Sequence, residues 1–200
     1  MPTDRRVVAL TFDAGASGAG LQRILDVLAA ENVRATFFPT GAFAAANPAG
    51  IASISNQGHR LGNHSQTHPY FTSLSDTQIR AEIATAEQSI ASAGGNPKPF
   101  FRFPFGDRDA RSIAAVNGAG YLAVRWTVDT LGWQGTSGGR SIQTVVDRVQ
   151  TTAQPGQIVL MHVGAHPSDG STLDADALPQ IITWLRGQGY GFVTLDELLW

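Results

Sequence analysis

The sequence contains no cysteine. Disulfide staples, thiolate metal sites and thiol nucleophiles are therefore excluded. The absence does not fix a compartment, because exported and cytosolic chains alike can do without the residue. Charge is also scarce: charged residues make up 15% of the chain, the formal net charge is −2, and neither sign forms a run. Phosphate-tracking grooves and polybasic membrane patches need clustered Lys and Arg, so no nucleic-acid partner is expected. No apolar run approaches the ~20 residues that span a bilayer, so no membrane span is expected. The start, Met1-Pro2-Thr3-Asp4-Arg5-Arg6, has no apolar h-region, and no signal peptide is expected within this chain.

What is present reads as one globular domain over 1–200, since two halves would each have a small core. Short apolar runs alternate with helical periodicity. Arg6 to Phe12 reads as a buried strand, ending in the small-residue loop Asp13-Ala14-Gly15-Ala16-Ser17-Gly18. Leu21, Ile24, Leu25 and Leu28 predict a helix over 20–31, and residues 35–38 predict a second strand. The Ala-rich stretch 43–57, interrupted by Pro48 and Gly50, fits two short helices. Leu61 sits in a brief strand; a helix starts at Ser75-Asp76 and carries Ile79, Ile83, Ala86 and Ile90 to about residue 93. A strand over 100–103, a helix over 109–118, a strand over 121–128 and a helix marked by Ile142, Val145, Val146 and Val149 follow. Residues 158–161 form a further buried strand, 163–174 a polar loop, Leu178, Ile181, Ile182 and Leu185 a helix, and 191–194 a last strand before a helical turn to Trp200. Phe37, Phe38, Phe100 and Phe101 read as core. The alternation implies parallel βαβ units with about six to seven strands.

In parallel α/β folds, catalytic groups gather beyond the C-terminal strand ends. Asp13, His64, Arg102, Asp129 and His162 all fall at such ends or just past them. His64 and His68, four residues apart within Gly62-Asn63-His64-Ser65-Gln66-Thr67-His68, can face one side of a turn and hold one metal ion. The aspartate and the late histidine can supply the acid and base that a metal hydrolase needs.

Five segments occur in order: Thr11-Phe12-Asp13-Ala14-Gly15, His64-Ser65-Gln66-Thr67-His68, Arg102-Phe103-Pro104-Phe105-Gly106, Asp129-Thr130-Leu131-Gly132-Trp133 and Leu160-Met161-His162. Together they resemble the motifs of the polysaccharide deacetylase superfamily (carbohydrate esterase family four, the nodulation-deacetylase homology domain). The resemblance implies an α/β fold, a distorted, incomplete (β/α) barrel of about seven parallel strands with an open glycan groove. It implies removal of acetyl groups from N-acetyl sugars or O-acetyl xylan with a divalent metal. By that resemblance Asp13 is the general base, His64 and His68 are metal ligands, and His162 is the general acid. Arg102 is similar to the arginine that orients the base, and Asp129 to the carboxylate that tunes the acid histidine. Trp133 and Leu160 resemble the apolar wall around the acetyl methyl. The partner implied is an acetylated polysaccharide or oligosaccharide, and export is implied because such substrates lie outside the cell.

The chemistry is consistent with those roles. An acetyl carbonyl needs an activated water, and a bound metal can lower that water's pKa and polarise the carbonyl. The oxyanion needs a donor, which the backbone N–H at Phe105 can supply. Two imidazoles suit zinc, though cobalt or nickel would also bind.

Ordinary structural readings stand beside each assignment. Asp13 can cap the following helix, His162 can be a satisfied buried histidine, Arg102 a surface ion pair, Trp133 plain core, and Asp129 a turn cap. The family usually has a second aspartate where this chain has Ala14. Asp13 leaning onto the metal, extra waters, or His166 and Asp169 from the polar loop could replace that ligand. The other outcome is a glycan-binding pseudoenzyme. Phe105, where tyrosine is common, loses a hydroxyl and keeps the backbone donor.

Overall fold

The computed structural model describes residues 3–15 and 17–199. In chain order, β1 (Val7–Ala14) leads to α1 (Leu21–Ala30), which buries Leu21, Ile24, Leu25 and Leu28 as their spacing predicts. β2 (Thr36–Pro39) is followed by α2 (Gly41–Ala46) and α3 (Pro48–Asn56). Two helices form there because Pro48 opens the second, where its missing N–H costs nothing. β3 (Arg60–Leu61) precedes the histidine loop. α4 (Asp76–Ser92) begins behind a capping box made by Ser75 and Gln78. The order continues with β4 (Phe100–Phe101), α5 (Ala110–Gly118), β5 (Leu122–Ala123), β6 (Val128–Asp129) and α6 (Ile142–Thr151). It closes with β7 (Gln157–His162), α7 (Leu173–Gly187), β8 (Gly191–Phe192) and α8 (Leu195–Leu199). The class is α/β with parallel ladders, as expected.

Three local expectations change. The strand expected over 121–128 is two short strands, β5 and β6, which pair with different partners. Between them Thr127 turns its hydroxyl onto the β7 backbone, donating to the Ile158 carbonyl at 3.1 Å and accepting from the Ile158 N–H at 3.0 Å. The last long helix starts at Leu173, well before the apolar stripe that begins at Leu178. Its first turn is acidic, with Asp174 and Asp176, which suits the positive end of a helix dipole. Asp13 belongs to β1 itself and not to the following loop. Expectations that fall on Met1, Pro2, Ala16 and Trp200 lie outside the described residues.

The chain divides into two compact units, Met1–Thr36 with Trp126–Trp200, and Phe37–Arg125. In the first, β1 pairs in parallel with β7 and with β8, and β7 pairs in parallel with β6. All but the first residue of β1 are buried, the mark of a strand covered on both faces. Register sets Asp13 beside His162 at the C-terminal ends of β1 and β7.

In the second unit, β3 and the residues after it run along β2: the Gly62 N–H donates to the Phe37 carbonyl at 2.8 Å and the His64 N–H to the Pro39 carbonyl at 3.2 Å. Gly62 is required here, because a Cβ would sit 2.4 Å from the Phe38 ring. Phe37, Phe38, Phe100 and Phe101 are fully buried, as expected of core residues. Phe71, Phe101, Phe103 and Tyr121 join Ile79, Ile83 and Val116 in one cluster. The Phe101 and Phe103 rings meet edge to face at 5.0 Å, an arrangement that favours aromatic quadrupoles.

Candidate active site

The histidine pair sits on a tight loop whose shape is held from three sides. Asn63, fully buried, accepts from the Ser65 N–H at 2.9 Å and donates to the Ile83 carbonyl at 3.0 Å. The start of α2 donates to the loop, from the Gly41 N–H to the Ser65 carbonyl at 2.9 Å. From α4, the Glu82 carboxylate accepts the Gln66 and Thr67 N–H groups, both at 2.8 Å, and the Thr67 hydroxyl at 2.7 Å. The result brings the His64 and His68 rings to 4.8 Å between centroids. His64 Nδ1 lies 2.8 Å from the Arg102 carbonyl oxygen. A carbonyl can only accept, so Nδ1 carries a proton, and in the neutral ring Nε2 is then the acceptor nitrogen.

Arg102 follows β4 and is fully buried, with its guanidinium 4.2 Å from the Phe38 ring centroid. It is therefore not the surface ion pair of the ordinary reading. Phe105 is 56% exposed and stacks on Tyr70 at 4.2 Å, with the His68 ring edge-on at 4.5 Å. Five non-glycine residues among those described have positive φ, and four of them, Ser65, His68, Phe105 and Leu131, lie in the candidate motifs. Such backbone costs about 1–3 kcal/mol each and persists where the surroundings hold it in place, often at functional sites.

In the other unit, Asp13 is buried at the end of β1, and its carbonyl accepts from the Val163 N–H at 3.0 Å. Ala14, next in the strand, is fully buried and offers only a methyl. Leu160 is buried in β7. Asp129 ends β6 and caps the next turn, accepting from the Leu131 N–H at 2.8 Å and the Trp133 indole N–H at 3.3 Å. Trp133 is 47% exposed, so it is not plain core, and its ring lies 6.4 Å from that of His162.

One carboxylate beside His162 is one that motif reading passed over. Asp174, in the first turn of α7, is 2% exposed. One of its oxygens accepts from the His162 backbone N–H at 2.8 Å and lies 3.7 Å from His162 Nδ1. The other accepts from the Thr130 hydroxyl at 2.6 Å. Burial works against the charged form of His162, but contact with Asp174 and the charges of Asp13, Asp174 and Asp129 outweigh it and hold its pKa above the usual histidine value. Asp174 escaped notice because it sits at the end of a polar stretch and four residues before the apolar stripe. The acidic start of a helix was the only local signal.

The loop after β7 is tied to itself and to the Thr136–Ser137 turn. Asp169 accepts from the Ser137 N–H at 2.6 Å, the Ser171 N–H at 2.8 Å, the Ser171 hydroxyl at 2.6 Å and the Thr136 hydroxyl at 3.0 Å. The Ser171 and Ser137 donors hold its pKa well below the usual carboxylate range. His166 Nδ1 lies 3.4 Å from the same carboxylate. Among the described residues no three His, Cys, Asp or Glu side chains gather so as to hold a metal ion. Ala14, at the sequence position where the family usually has a second aspartate, offers no donor atom on its side chain.

A model of the polysaccharide deacetylase family matches residues 1–124. A peptidoglycan-N-acetylglucosamine deacetylase from Bacillus cereus is 32% identical over 197 residues, covering 98% of this chain and 70% of that protein. The peptidoglycan-N-acetylglucosamine deacetylase PgdA from Listeria monocytogenes is 34% identical over 196 residues; the match spans 98% of this chain and 39% of that longer protein. Among solved structures, the Bc1960 peptidoglycan N-acetylglucosamine deacetylase matches with a TM-score of 0.90 at 32% identity, over 98% of this chain and 89% of that one. The family-four pseudoenzyme BA3943 from Bacillus anthracis matches with a TM-score of 0.87 at 30% identity, over 98% of this chain and 66% of that one.

Proposed function

The chain belongs to the polysaccharide deacetylase family, carbohydrate esterase family four, and from that premise we infer that residues 1–200 act as one catalytic domain that hydrolyses acetyl groups on a glycan. The observation that carries this reading is the register of β1 and β7, in which Asp13 and His162 are direct neighbours. Paired residues of adjacent strands face the same side of a sheet, so a base and an acid share one face.

In the proposed reaction Asp13 takes the proton of the attacking water. The Phe105 N–H donates to the oxyanion that develops on the acetyl carbonyl. Protonated His162 gives its proton to the departing amine or alkoxide, and its raised pKa keeps that proton available near neutral pH. Trp133 and Leu160 bound the acetyl methyl, and Asp129 adds negative charge near the acid. His64 and His68 would hold a divalent cation, and the His64 Nδ1 bond to a carbonyl supports that role by leaving Nε2 as the donor. Such an ion would polarise the carbonyl and lower the pKa of water toward ~7. Zinc suits two imidazoles best, with cobalt or nickel as substitutes. His166 and Asp169 serve as loop staples in this reading, and Ala14 supplies no ligand, so a cation held by the histidine pair would have solvent in the rest of its shell.

The names of the relatives support a cell-envelope glycan as substrate, encountered outside the cell. Among the described residues no helix is long and apolar enough to cross a membrane. A second reading, a glycan-binding pseudoenzyme, is favoured by the buried methyl of Ala14 and by the likeness to BA3943.

The test is acetate release from acetylated peptidoglycan, chitin oligomers and xylan, before and after chelation, with zinc, cobalt or nickel restored. Release that stops with chelator and returns with metal is expected. No release from any substrate with any of the metals, by folded protein that still binds the glycan, would establish the pseudoenzyme instead.

A further inference from the structure

The mechanism above leaves one buried acid unused. A carboxylate removed from water is costly unless donors replace its hydration. Asp174 obtains two, the Thr130 hydroxyl on one oxygen and the His162 backbone N–H on the other. The second oxygen is thus anchored to the main chain of the residue whose ring it faces, 3.7 Å from Nδ1. That distance is right for an ion pair and too long for a hydrogen bond. Nδ1 itself is buried with no hydrogen-bond partner. The space for the carboxylate exists because residue 132 is glycine: a Cβ there would lie 2.4 Å from an Asp174 oxygen.

Three acids face His162, Asp13 from β1, Asp129 from β6 and Asp174 from α7. They are not equivalent. Asp129 spends its oxygens on the Leu131 N–H and the Trp133 indole. Asp13 is the proposed base, whose task is to take the proton of water. Asp174 alone is both deeply buried and held against the histidine by that histidine's own backbone.

We propose that Asp174, seated in the space left by Gly132, is the positioning residue for His162, holding the Nδ1 edge of the ring so that Nε2 is the nitrogen that serves the leaving group. This rests on the reading of His162 as the general acid. It moves the task that resemblance assigned to Asp129 onto a residue of α7. The Nδ1 proton pairs with the Asp174 carboxylate, and the Nε2 proton is the one transferred.

The test uses the full chain with labelled histidine. The ring titration of His162 is followed by NMR, assigned with His162→Gln, in wild type and in Asp174→Asn, which keeps the shape and removes the charge. The expected result is a fall of about one unit or more in the His162 midpoint, the size of effect an adjacent opposite charge has. The basic limb of the kcat/KM profile for acetate release should move down in step, with KM little changed. An unchanged midpoint in folded Asp174→Asn overturns the proposal. If that variant does not fold, Gly132→Ala decides, since its methyl displaces the carboxylate without removing it; the same downward shift is expected, and no shift overturns the proposal. The titration needs no turnover. A shift in protein that releases no acetate therefore upholds the Asp174–His162 pairing and sinks the deacetylase reading. Release with no shift does the reverse.

Discussion

Asp13 and His162 occupy neighbouring strand ends, and the proposed reaction gives them opposite tasks. Asp13→Asn keeps the volume and the strand and removes the basic group, so turnover should fall by roughly 10²–10⁴. Initial-rate acetate release measures this, and near-wild-type turnover would remove Asp13 from the mechanism. His162 has a folded-state pKa above its unfolded value, so the native chain binds the proton more tightly than the unfolded one. The stability this contributes is fully present below about pH 6.5 and is lost as pH rises through the folded pKa. Urea denaturation of wild type and His162→Gln should therefore show a gap that is widest in mild acid and shrinks toward alkaline pH. A gap that grows with pH would contradict the sign of the shift.

At the residue scale the sequence was informative for groups whose chemistry is their own. The two histidines, the aspartate of β1 and the histidine of β7 are recognisable by type and spacing alone. Asp174 was not, because what marks it is not local. Its significance comes from the Thr130 hydroxyl, the His162 N–H and the missing side chain at Gly132, which stand 44, 12 and 42 positions away in the chain. Trp133 shows the same limit from the other side: a large aromatic ordinarily packs inside, and only the fold leaves this one 47% exposed.

At the scale of elements, the histidine loop depends on α4. Glu82 accepts three hydrogen bonds from two consecutive loop residues. Hydrogen bonds to a charged group each contribute about 1.5–3 kcal/mol at most, and these are partly exposed, so the lower end applies. Glu82→Ala should speed amide exchange at Gln66 and Thr67 and weaken zinc binding at His64 and His68 by about 10-fold. Hydrogen exchange and titration calorimetry read the two effects, and unaltered exchange at both amides would show that the loop stands without Glu82. Most elements were legible because their apolar spacing matches their structure, as in α1, α4 and α6. The stretch 121–128 was not, because a continuous β-forming run says nothing about which partner each part takes. The start of α7 was missed because the apolar stripe begins only at Leu178, while buried Leu173, Asp174, Ala175 and Ala177 extend the helix before it.

At the scale of the whole molecule, the chain is α/β and shares its fold with family-four deacetylases over 98% of its length. Each unit carries its own packed interior. In the second, Phe101 lies at the centre of an aromatic cluster with Phe71, Phe103 and Tyr121. Phe101→Ala should cost about 3–5 kcal/mol, the range for truncating a buried aromatic, seen as a lower denaturation midpoint. A loss below about 1 kcal/mol would mean that the cluster closes over the cavity.

The sequence by itself determined the α/β class and the strand and helix alternation, which follow from periodicity, and it carried five motifs in order whose resemblance to one family implied the acid, base and metal-ligand candidates. Periodicity and motif order are both written along the chain. The tertiary structure decided that Asp174 stands against His162, that His64 Nδ1 lies against the Arg102 carbonyl, and that Asp169 is a loop staple. Those outcomes depend on donors and empty space supplied by residues distant in sequence, and only the folded backbone brings them within hydrogen-bonding reach.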